Sequence, residues 1–227
     1  MTNTSVSDWT ALRGLHAVYK PVGPTSHDMI YRLRRLTGEQ TIGHAGTLDP
    51  FASGVLVVGI GRAATKLLAT AVAKEKEYVA TVDLSATSTT DDVEGEKTLV
   101  QAARIPTAAD VRQALTAFVG DIMQVPPVYS AIKKGGVKAY EKARKGQAVA
   151  MEPRQVHVEA IKLLSYEWPQ VRLRIVTGPG VYIRAIGRDL GRVLGTGGFL
   201  SALERTRIGE WTVDTTLRLP PDKKDRA

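Results

Sequence analysis

Apolar residues recur at helical spacing in three stretches of the chain, and this pattern predicts three amphipathic helices. The first is predicted to begin at Ser26, a residue type that caps helices, and to end at Gly38. The second covers residues 107–118, which open with a threonine and an aspartate at capping-box spacing. The third covers residues 182–194 and carries one apolar stripe beside a stripe of arginines.

Short apolar runs bounded by glycine, proline or polar residues predict the strands. Residues 171–177 show this pattern best, because apolar positions alternate there with Arg172 and Arg174. Two less regular segments, residues 63–72 and 199–205, are predicted to be helical. The glycine-rich residues 43–49 have no period and are predicted to form a loop. The other predicted strands cover residues 55–60, 78–84, 156–165 and 208–213.

The predicted helices and strands do not alternate regularly, which favours an α+β fold over repeated parallel βαβ units. We expect one domain over residues 1–217 and a charged tail over residues 218–227. Residues 124–152 differ in kind, because prolines, glycines and cationic side chains replace the apolar period. We call this insertion the basic arm and expect it to be extended, with a short helix near residues 139–144.

Composition narrows the classes of function. The formal net charge is +8 and the sequence pI is about 9.7, which favours a polyanionic partner such as nucleic acid over plain solubility charge only weakly. The absence of cysteine excludes disulfides, thiolate zinc sites and cysteine nucleophiles. The four histidines form no close pair, so we expect no metal site. The polar first ten residues and the lack of a long apolar window lead us to expect an intracellular protein without a membrane span.

The glycine-rich segment is the first candidate for chemistry. It ends in Asp49 and Pro50, and its glycines would let a carboxylate approach a ligand closely. The alternative is an ordinary turn, because Asp-Pro is a common turn starter. His44 in the same segment is by itself more typical of a surface or core histidine than of a catalyst.

The start of the third helix is the second candidate. A guanidinium at Arg184 would keep a nearby carboxylate ionised, and Tyr182 could cover an aromatic base. Arg188 and Arg192 continue the same helix face at intervals of four residues. The alternative is a core tyrosine beside a solvated basic face.

Two further motifs have weaker signals. The basic arm suits a phosphate backbone, with Tyr129 and Tyr140 placed to stack on bases, although a solvated loop is an equal alternative. Gly59 and Gly61 after a predicted strand, with Asp83 further on, imitate a dinucleotide-binding fingerprint. No βα repeats follow, so a nucleotide-cofactor enzyme is the least favoured interpretation and we expect no cofactor.

Together these motifs resemble the TruB family of transfer RNA pseudouridine-55 synthases. The resemblance runs from Leu15 to about Val213, and the stretch Gly-His-Ala-Gly-Thr-Leu-Asp-Pro is specific on its own. The markers are Tyr19-Lys20-Pro21, Gly23-Pro24-Thr25-Ser26, Gly43 to Pro50, Lys76-Glu77-Tyr78, Thr89-Thr90-Asp91, Gln124-Val125-Pro126-Pro127, Tyr129-Ser130-Ala131-Ile132-Lys133, Tyr182-Ile183-Arg184 and Asp189-Leu190-Gly191.

The resemblance implies a mixed, mainly antiparallel central sheet flanked by helices, with an active site in a central cleft. It also implies an isomerase that flips uridine 55 out of the tRNA T-loop, breaks the C1′–N1 bond and joins C5 to C1′. The partner would be the T-arm stem-loop of tRNA, with no obligate protein partner. We expect a monomer that acts in the cytoplasm.

The resemblance also implies a role for each matching residue. Asp49 matches the catalytic aspartate, Arg184 its partner, and Tyr78 the aromatic that stacks on the uracil and is implicated in removing the C5 proton. His44 matches the residue that replaces the expelled base. Further implied substrate-binding residues are Lys20, Tyr182 and Leu203, the last as an apolar wall. The residues expected to bind RNA are Lys133, Lys134, Lys138 and Lys142 of the basic arm, with Arg188 and Arg192.

Some positions depart from the family pattern. Residues 177–181 replace a Cys-Ser-Lys-Gly-like turn, and Phe199 and Glu204 stand where histidine and arginine are common. The chain ends soon after Val213 without room for the PUA-type RNA-binding domain of many relatives, so we expect RNA binding to rely on the basic arm. The alternative from another class is a non-catalytic RNA-binding or tRNA-folding protein on the same scaffold. The absence of the PUA-type domain argues against a guide-dependent synthase.

Overall fold

A computed structural model describes residues 8–130 and 150–221, together with the backbone of two short strands at 133–134 and 137–138. The chain forms two compact units. The first unit comprises Met1–Tyr78 and Leu203–Ala227, and the second comprises Val79–Ala202. The predicted domain boundaries at 1–217 and 218–227 stay a prediction.

The secondary structure contains thirteen strands and five α-helices within the described residues, and short 3-10 turns follow α4 and β13. The helices are α1 (Ser26–Thr37), α2 (Arg62–Lys66), α3 (Leu68–Val72), α4 (Ala108–Leu115) and α5 (Ile183–Leu194). The strands are β1 (Gly14–Lys20), β2 (Ile42–Ala45), β3 (Ser53–Ile60), β4 (Lys76–Asp83), β5 (Ala86–Ser88), β6 (Lys97–Leu99), β7 (Gly120–Gln124), β8 (Lys133–Lys134), β9 (Val137–Lys138), β10 (Arg154–Glu167), β11 (Gln170–Thr177), β12 (Phe199–Ile208) and β13 (Trp211–Thr212).

In the first unit β3 is the central strand. It pairs antiparallel with both β1 and β2, so that Ile60 lies opposite Gly14 on one side and Ile42 on the other. The end of β12 runs parallel to β3, with Arg205 opposite Gly54. Strand β3 is almost entirely apolar and buried, as expected of a strand that is covered on both faces.

Helix α1 covers one face of this sheet. Its apolar stripe and residues of β1, β2 and β3 form one core cluster: Val18, Met29, Ile30, Leu33, Ile42, Leu56, Val58, Ile60 and Leu217. Gly38 ends the helix in the left-handed conformation, as predicted. The predicted cap was wrong by one residue, because Thr25 and Asp28 form the capping box and Ser26 is the first helical residue.

In the second unit the strand order is β4–β11–β10–β7, and the pairs that β10 makes with β11 and β7 are antiparallel. Helix α4 begins with the predicted capping box of Thr107 and Asp110. Helix α5 lies directly on the backbone before β12, where a Cβ at Gly191 would come within 2.1 Å of the Gly197 carbonyl oxygen. Glycine at this position therefore allows the helix to approach the chain so closely.

The α+β fold with a mixed, mainly antiparallel sheet is confirmed. Three local predictions were wrong. Residues 199–205 are not a helix but part of β12, because pairing with neighbouring strands outweighs local helix propensity. Residues 43–45 belong to β2, paired with β3, and the helix predicted over 63–72 breaks at Leu67 into α2 and α3. The short helix predicted near 139–144 lies outside the described residues.

Candidate active site

The loop that carries Asp49 connects β2 to β3 in the first unit. The Ser26 side chain holds it on the α1 side, since its Oγ accepts a hydrogen bond from the Leu48 amide at 2.8 Å and lies 3.0 Å from the Leu48 carbonyl oxygen. Within the loop, the Ala52 amide donates to the Asp49 carbonyl at 3.1 Å. The Asp49 residue is partly exposed, whereas Leu48 beside it is buried. Asp49 thus follows a buried anchor in its loop.

Lys20 binds the same loop from the end of β1. It is fully buried, and its Nζ donates to the carbonyl oxygens of Pro21 at 2.8 Å, Pro50 at 3.3 Å and Ala52 at 2.6 Å. Carbonyl oxygens can offset the cost of burying an ammonium. The structure therefore gives Lys20 contacts that fix the backbone around Asp49, in addition to any contact with substrate that the resemblance implies.

Arg205 is a second buried cation on this loop, and no sequence pattern singled it out. Only 2% of the residue is exposed. Its Nε donates to the Val55 carbonyl at 2.8 Å, and one terminal nitrogen donates to the Gly46 carbonyl at 2.9 Å. Burial lowers the pKa of Arg205, while interactions with the Tyr78 hydroxyl and the charge of Asp49 oppose this shift.

Strand β4 brings Lys76 and Tyr78 to the same buried face, because residues two apart in a strand point the same way. The Nζ of Lys76 donates to the carbonyl oxygens of Val72 at 2.8 Å and Lys74 at 2.7 Å. Burial, followed by repulsion from Arg205, lowers the pKa of Lys76 from 10.5 to about 8. The Tyr78 ring thus lies in a buried environment that already contains two cations.

We expect Lys76 to make stability depend on pH in the alkaline range. The unfolded chain binds a proton at Lys76 up to pH 10.5, whereas the folded chain releases it near pH 8. The unfolded state therefore holds more protons between these values, and the contribution of Lys76 to stability rises with pH by about 1–3 kcal/mol. Urea unfolding should show that the free energy of unfolding rises more between pH 7.5 and pH 10 in the wild-type protein than in Lys76→Met. An exposed control, Lys66→Met, should not change the slope, and parallel pH curves for wild type and Lys76→Met would contradict this expectation.

His44 lies on β2 and is half-buried. Its Nδ1 is buried, and among residues 8–130 and 150–221 the structure shows no hydrogen-bond partner for that atom. Burial, and then the charges of Arg205 and His27, lower the pKa of His44. The lowered pKa favours the neutral form of the imidazole.

Arg184 lies in the first turn of α5, in the second unit, and 5% of the residue is exposed. One terminal nitrogen donates to the Thr90 carbonyl at 3.0 Å and to Asp92 Oδ2 at 3.2 Å, and the other donates to the Tyr129 carbonyl at 2.8 Å. Asp92 is also buried and receives the Glu94 amide at 3.0 Å. Sequence reasoning missed Asp92, although two adjacent acids in a polar connector were a possible signal.

The arginines that follow on α5 differ in exposure. Arg188 is mostly buried, where it pairs with Asp91 at 2.9 Å and Asp189 at 2.9 Å and donates to the Val125 carbonyl at 2.8 Å. Burial raises the pKa of Asp91 despite the guanidinium beside it. The side chain of Arg192 is 69% exposed and pairs with Asp189 at 3.1 Å. Arg192 is therefore the arginine of this face that can meet a polyanion without breaking a buried contact.

The remaining predicted site residues divide between the units. Tyr182 precedes α5, its backbone is held by the side chain of Gln124 at 2.8 and 3.1 Å, and the Arg154 guanidinium lies 5.0 Å from its ring centre. Leu203 is buried on β12. Lys142 and the side chains of Lys133, Lys134 and Lys138 lie outside the described residues. The first unit thus holds Asp49, Tyr78, His44, Lys20 and Leu203, and the second holds Arg184, Tyr182, Arg188 and Arg192.

The described side chains around Asp49 and Arg184 provide carboxylates, proton-transfer groups and cations, and no cluster that could bind a metal ion. Over residues 8–130 and 150–221, no group of three or more histidine or acidic side chains could hold a metal ion. In the same part of the chain, no helix has the length and apolar character needed to cross a membrane.

Comparisons with known proteins agree on one family. The model described as TruB family pseudouridylate synthase (N terminal domain) matches residues 34–183. The chain is 45% identical over 207 residues to a tRNA pseudouridine synthase B from Leifsonia xyli subsp. xyli, covering 88% of this chain and 68% of that protein. It is likewise 45% identical over 205 residues to a protein of the same name from Mycobacterium sp. (strain KMS), covering 88% and 69%.

Among solved structures, the fold is similar to that of a chain in a Cbf5-Nop10-Gar1 complex. The TM-score is 0.68 at 30% sequence identity, and the match covers 91% of this chain and 52% of the other. This chain therefore spans about half the length of that solved chain and about two thirds of the length of the two bacterial relatives.

Proposed function

Because the chain belongs to the TruB family of pseudouridylate synthases, we propose that it isomerises uridine 55 in the T-loop of tRNA to pseudouridine, with Asp49 as the catalytic carboxylate. The isomerase activity and the tRNA substrate are supported by the relatives, which are tRNA pseudouridine synthases. The position of the uridine and the role of Asp49 are our own extension.

The observation that carries this proposal is how the Asp49 loop is held. The loop sequence is Gly-His-Ala-Gly-Thr-Leu-Asp-Pro, and its backbone is bound by the buried side chains of Lys20, Ser26 and Arg205. A binding protein would have no need to fix one partly exposed carboxylate in this way, whereas a nucleophile must be held within a few tenths of an ångström. The Tyr78 hydroxyl interacts with Arg205, one of these anchors.

The proposed chemistry leaves the composition of the base unchanged. Uridine 55 leaves the stack, and the neutral His44 imidazole takes its place in the loop. The C1′–N1 bond breaks with Asp49 assisting at the sugar or the ring, and covalent capture by a carboxylate requires no cofactor. The uracil turns on the Tyr78 ring, C5 bonds to C1′, and the C5 proton is lost while N1 gains one.

The other roles implied by the resemblance belong to the same proposal. Arg184 would be a further catalytic residue, Tyr182 and Leu203 would bind the substrate, and Lys20 would do so besides holding the Asp49 loop. The basic arm and Arg192 would contact RNA phosphates, which predicts affinity that falls with salt. A tRNA substrate also places the proposed activity in the cytoplasm, with no protein partner required.

The test uses a T-arm stem-loop RNA with tritium at C5 of its uridines. The wild-type protein should release tritium in an amount equal to one uridine per RNA, and mass mapping should place the product at position 55. An RNA with cytidine at position 55 is the matched control and should release none. Binding without release would support the alternative of a non-catalytic RNA-binding protein. Release from several positions would retain the activity but reject the proposed specificity.

A further inference from the structure

We propose that Arg205 is a positioning residue that holds the Asp49 carboxylate and the Tyr78 ring in a fixed mutual geometry. This inference rests on the proposed function. Arg205 is not a catalytic residue in this view, because its contacts are to the protein and not to the reacting atoms. Its role is to connect the two groups that must act on one uridine.

Arg205 binds two carbonyl oxygens, one on each side of Asp49 in the chain. Gly46 lies three residues before Asp49 and Val55 lies six residues after it, and the guanidinium donates to both carbonyl oxygens, at 2.9 and 2.8 Å. One planar, rigid side chain therefore closes the loop at both ends. Glycine is favoured at Gly46 by its φ of +79°, since a Cβ there would lie at an ordinary contact distance of 3.4 Å from a terminal nitrogen of Arg205.

The backbone of Arg205 is itself held close to the Asp49 loop. Arg205 sits on β12 opposite Gly54 of β3, the strand that follows the Asp49 loop. A Cβ at Gly54 would lie 2.2 Å from the Arg205 carbonyl oxygen, which shows how closely the two backbones approach. The Arg205 backbone, from which the side chain extends, is therefore packed tightly against the start of β3.

The buried charge of Arg205 connects it to Tyr78 and Asp49. A guanidinium that is only 2% exposed carries a large desolvation cost, and carbonyl oxygens offset it in part. Tyr78 and Asp49 are the groups that counter it further, through the phenol oxygen and the carboxylate charge. Attraction is mutual, so the same interactions that keep Arg205 charged draw the Tyr78 hydroxyl and the Asp49 carboxylate toward one point.

Positioning of this kind predicts an effect on the chemical step and not on RNA binding. Displacing reacting groups by about 1 Å can cost roughly 100-fold in rate. We expect Arg205→Lys, which keeps the charge but loses the fork, to lower the single-turnover rate about 10- to 100-fold with an unchanged Kd for the stem-loop. Arg207→Lys is the matched control, since Arg207 lies on the same strand and pairs with Glu75 at the surface, and its rate should stay within about twofold.

A double-mutant cycle then tests the connection to Tyr78. The part of the effect that passes through the hydroxyl is absent in a Tyr78→Phe background, so Arg205→Lys should lower the rate there by a smaller factor than in the wild-type protein. Melting curves of the same four proteins should be non-additive as well, and Tyr78→Phe alone should lower the Tm by about 2–6 °C. Non-additive changes in Tm would show the coupling between Arg205 and Tyr78 even if an Arg205 variant is less stable or Tyr78→Phe is too slow to assay.

The outcomes separate the two proposals. An active wild-type protein with additive effects in both rate and Tm overturns the positioning role and leaves the proposed function intact. If Arg205→Lys lowers stability but changes neither the single-turnover rate nor the coupling with Tyr78, then Arg205 only supports the fold. A wild-type protein that releases no tritium overturns the proposed function, and this inference with it.

Discussion

Asp49→Asn should lower the single-turnover rate of uridine isomerisation by at least about 10⁴-fold while the Kd for the T-arm stem-loop changes less than about threefold. The amide has nearly the shape of the carboxylate but no charge, so it can neither attack nor stabilise a cationic sugar. Because the loop is held by Lys20, Ser26 and Arg205 through main-chain atoms, the substitution leaves the anchors in place.

Tritium release and RNA binding should be measured on the same preparation. The control is Asp214→Asn, an exposed acid of the same unit, which should retain full activity. If Asp49→Asn keeps more than a tenth of the rate, Asp49 has no part in the chemistry. If the rate and the affinity fall together, the residue contributes to binding and the assignment of a nucleophile is wrong.

Asp92→Ala should lower the free energy of unfolding by about 3–5 kcal/mol, because it removes a buried carboxylate that pairs with the buried Arg184 guanidinium. The side chains of Arg184 and Asp92 are 6% and 3% exposed, and their charged atoms are 3.2 Å apart. Asp189→Ala removes a more exposed acid, on α5, whose partners are Arg188 and Arg192, and should cost less than about 1 kcal/mol. Urea unfolding monitored by circular dichroism distinguishes the two. Equal losses would contradict the importance of burial at Asp92.

Stability and activity can then be separated at the same pair. Replacing both residues, as Arg184→Met with Asp92→Leu, removes the buried charges together and should recover at least half of the lost stability. Under the proposed function the double variant should remain inactive, because methionine lacks the guanidinium for which we propose a catalytic role. Recovery of activity along with stability would mean that Arg184 serves the fold alone.

The sequence predicts those elements of the fold whose formation depends on residues close together in the chain. Helices α1 and α4 follow from apolar period and capping residues, since both signals act within a few residues of each other. Strand β12 could not be predicted in this way, because β3, which runs beside its end, lies about 150 residues away in the chain. Its identity as a strand comes from pairing with β3, and its local composition favoured a helix.

The same distinction applies to the candidate site. Asp49 is marked by a motif that the eye can find in the sequence, and so is Arg184. Arg205 and Asp92 carry no such mark, and Lys76 belongs to a marker motif that assigns it no role of its own. What singles out all three residues is burial of charge, and burial is decided by tertiary packing. Once β4 and β12 are known to be strands, side-chain alternation places Lys76 and Tyr78 on one face and explains why Arg205 points inward.

The first unit is assembled from two distant segments of the chain, and this has a consequence for the protein during its synthesis. Arg205 and the Val55 carbonyl that it binds are separated by 150 positions. At about 5–20 residues per second, a ribosome needs roughly 8–30 s to travel between them. Throughout that interval the nascent polypeptide carries its aspartate loop without the guanidinium that secures it. A competent enzyme therefore emerges only after β12 has been translated, and a product truncated before that strand cannot begin to modify RNA.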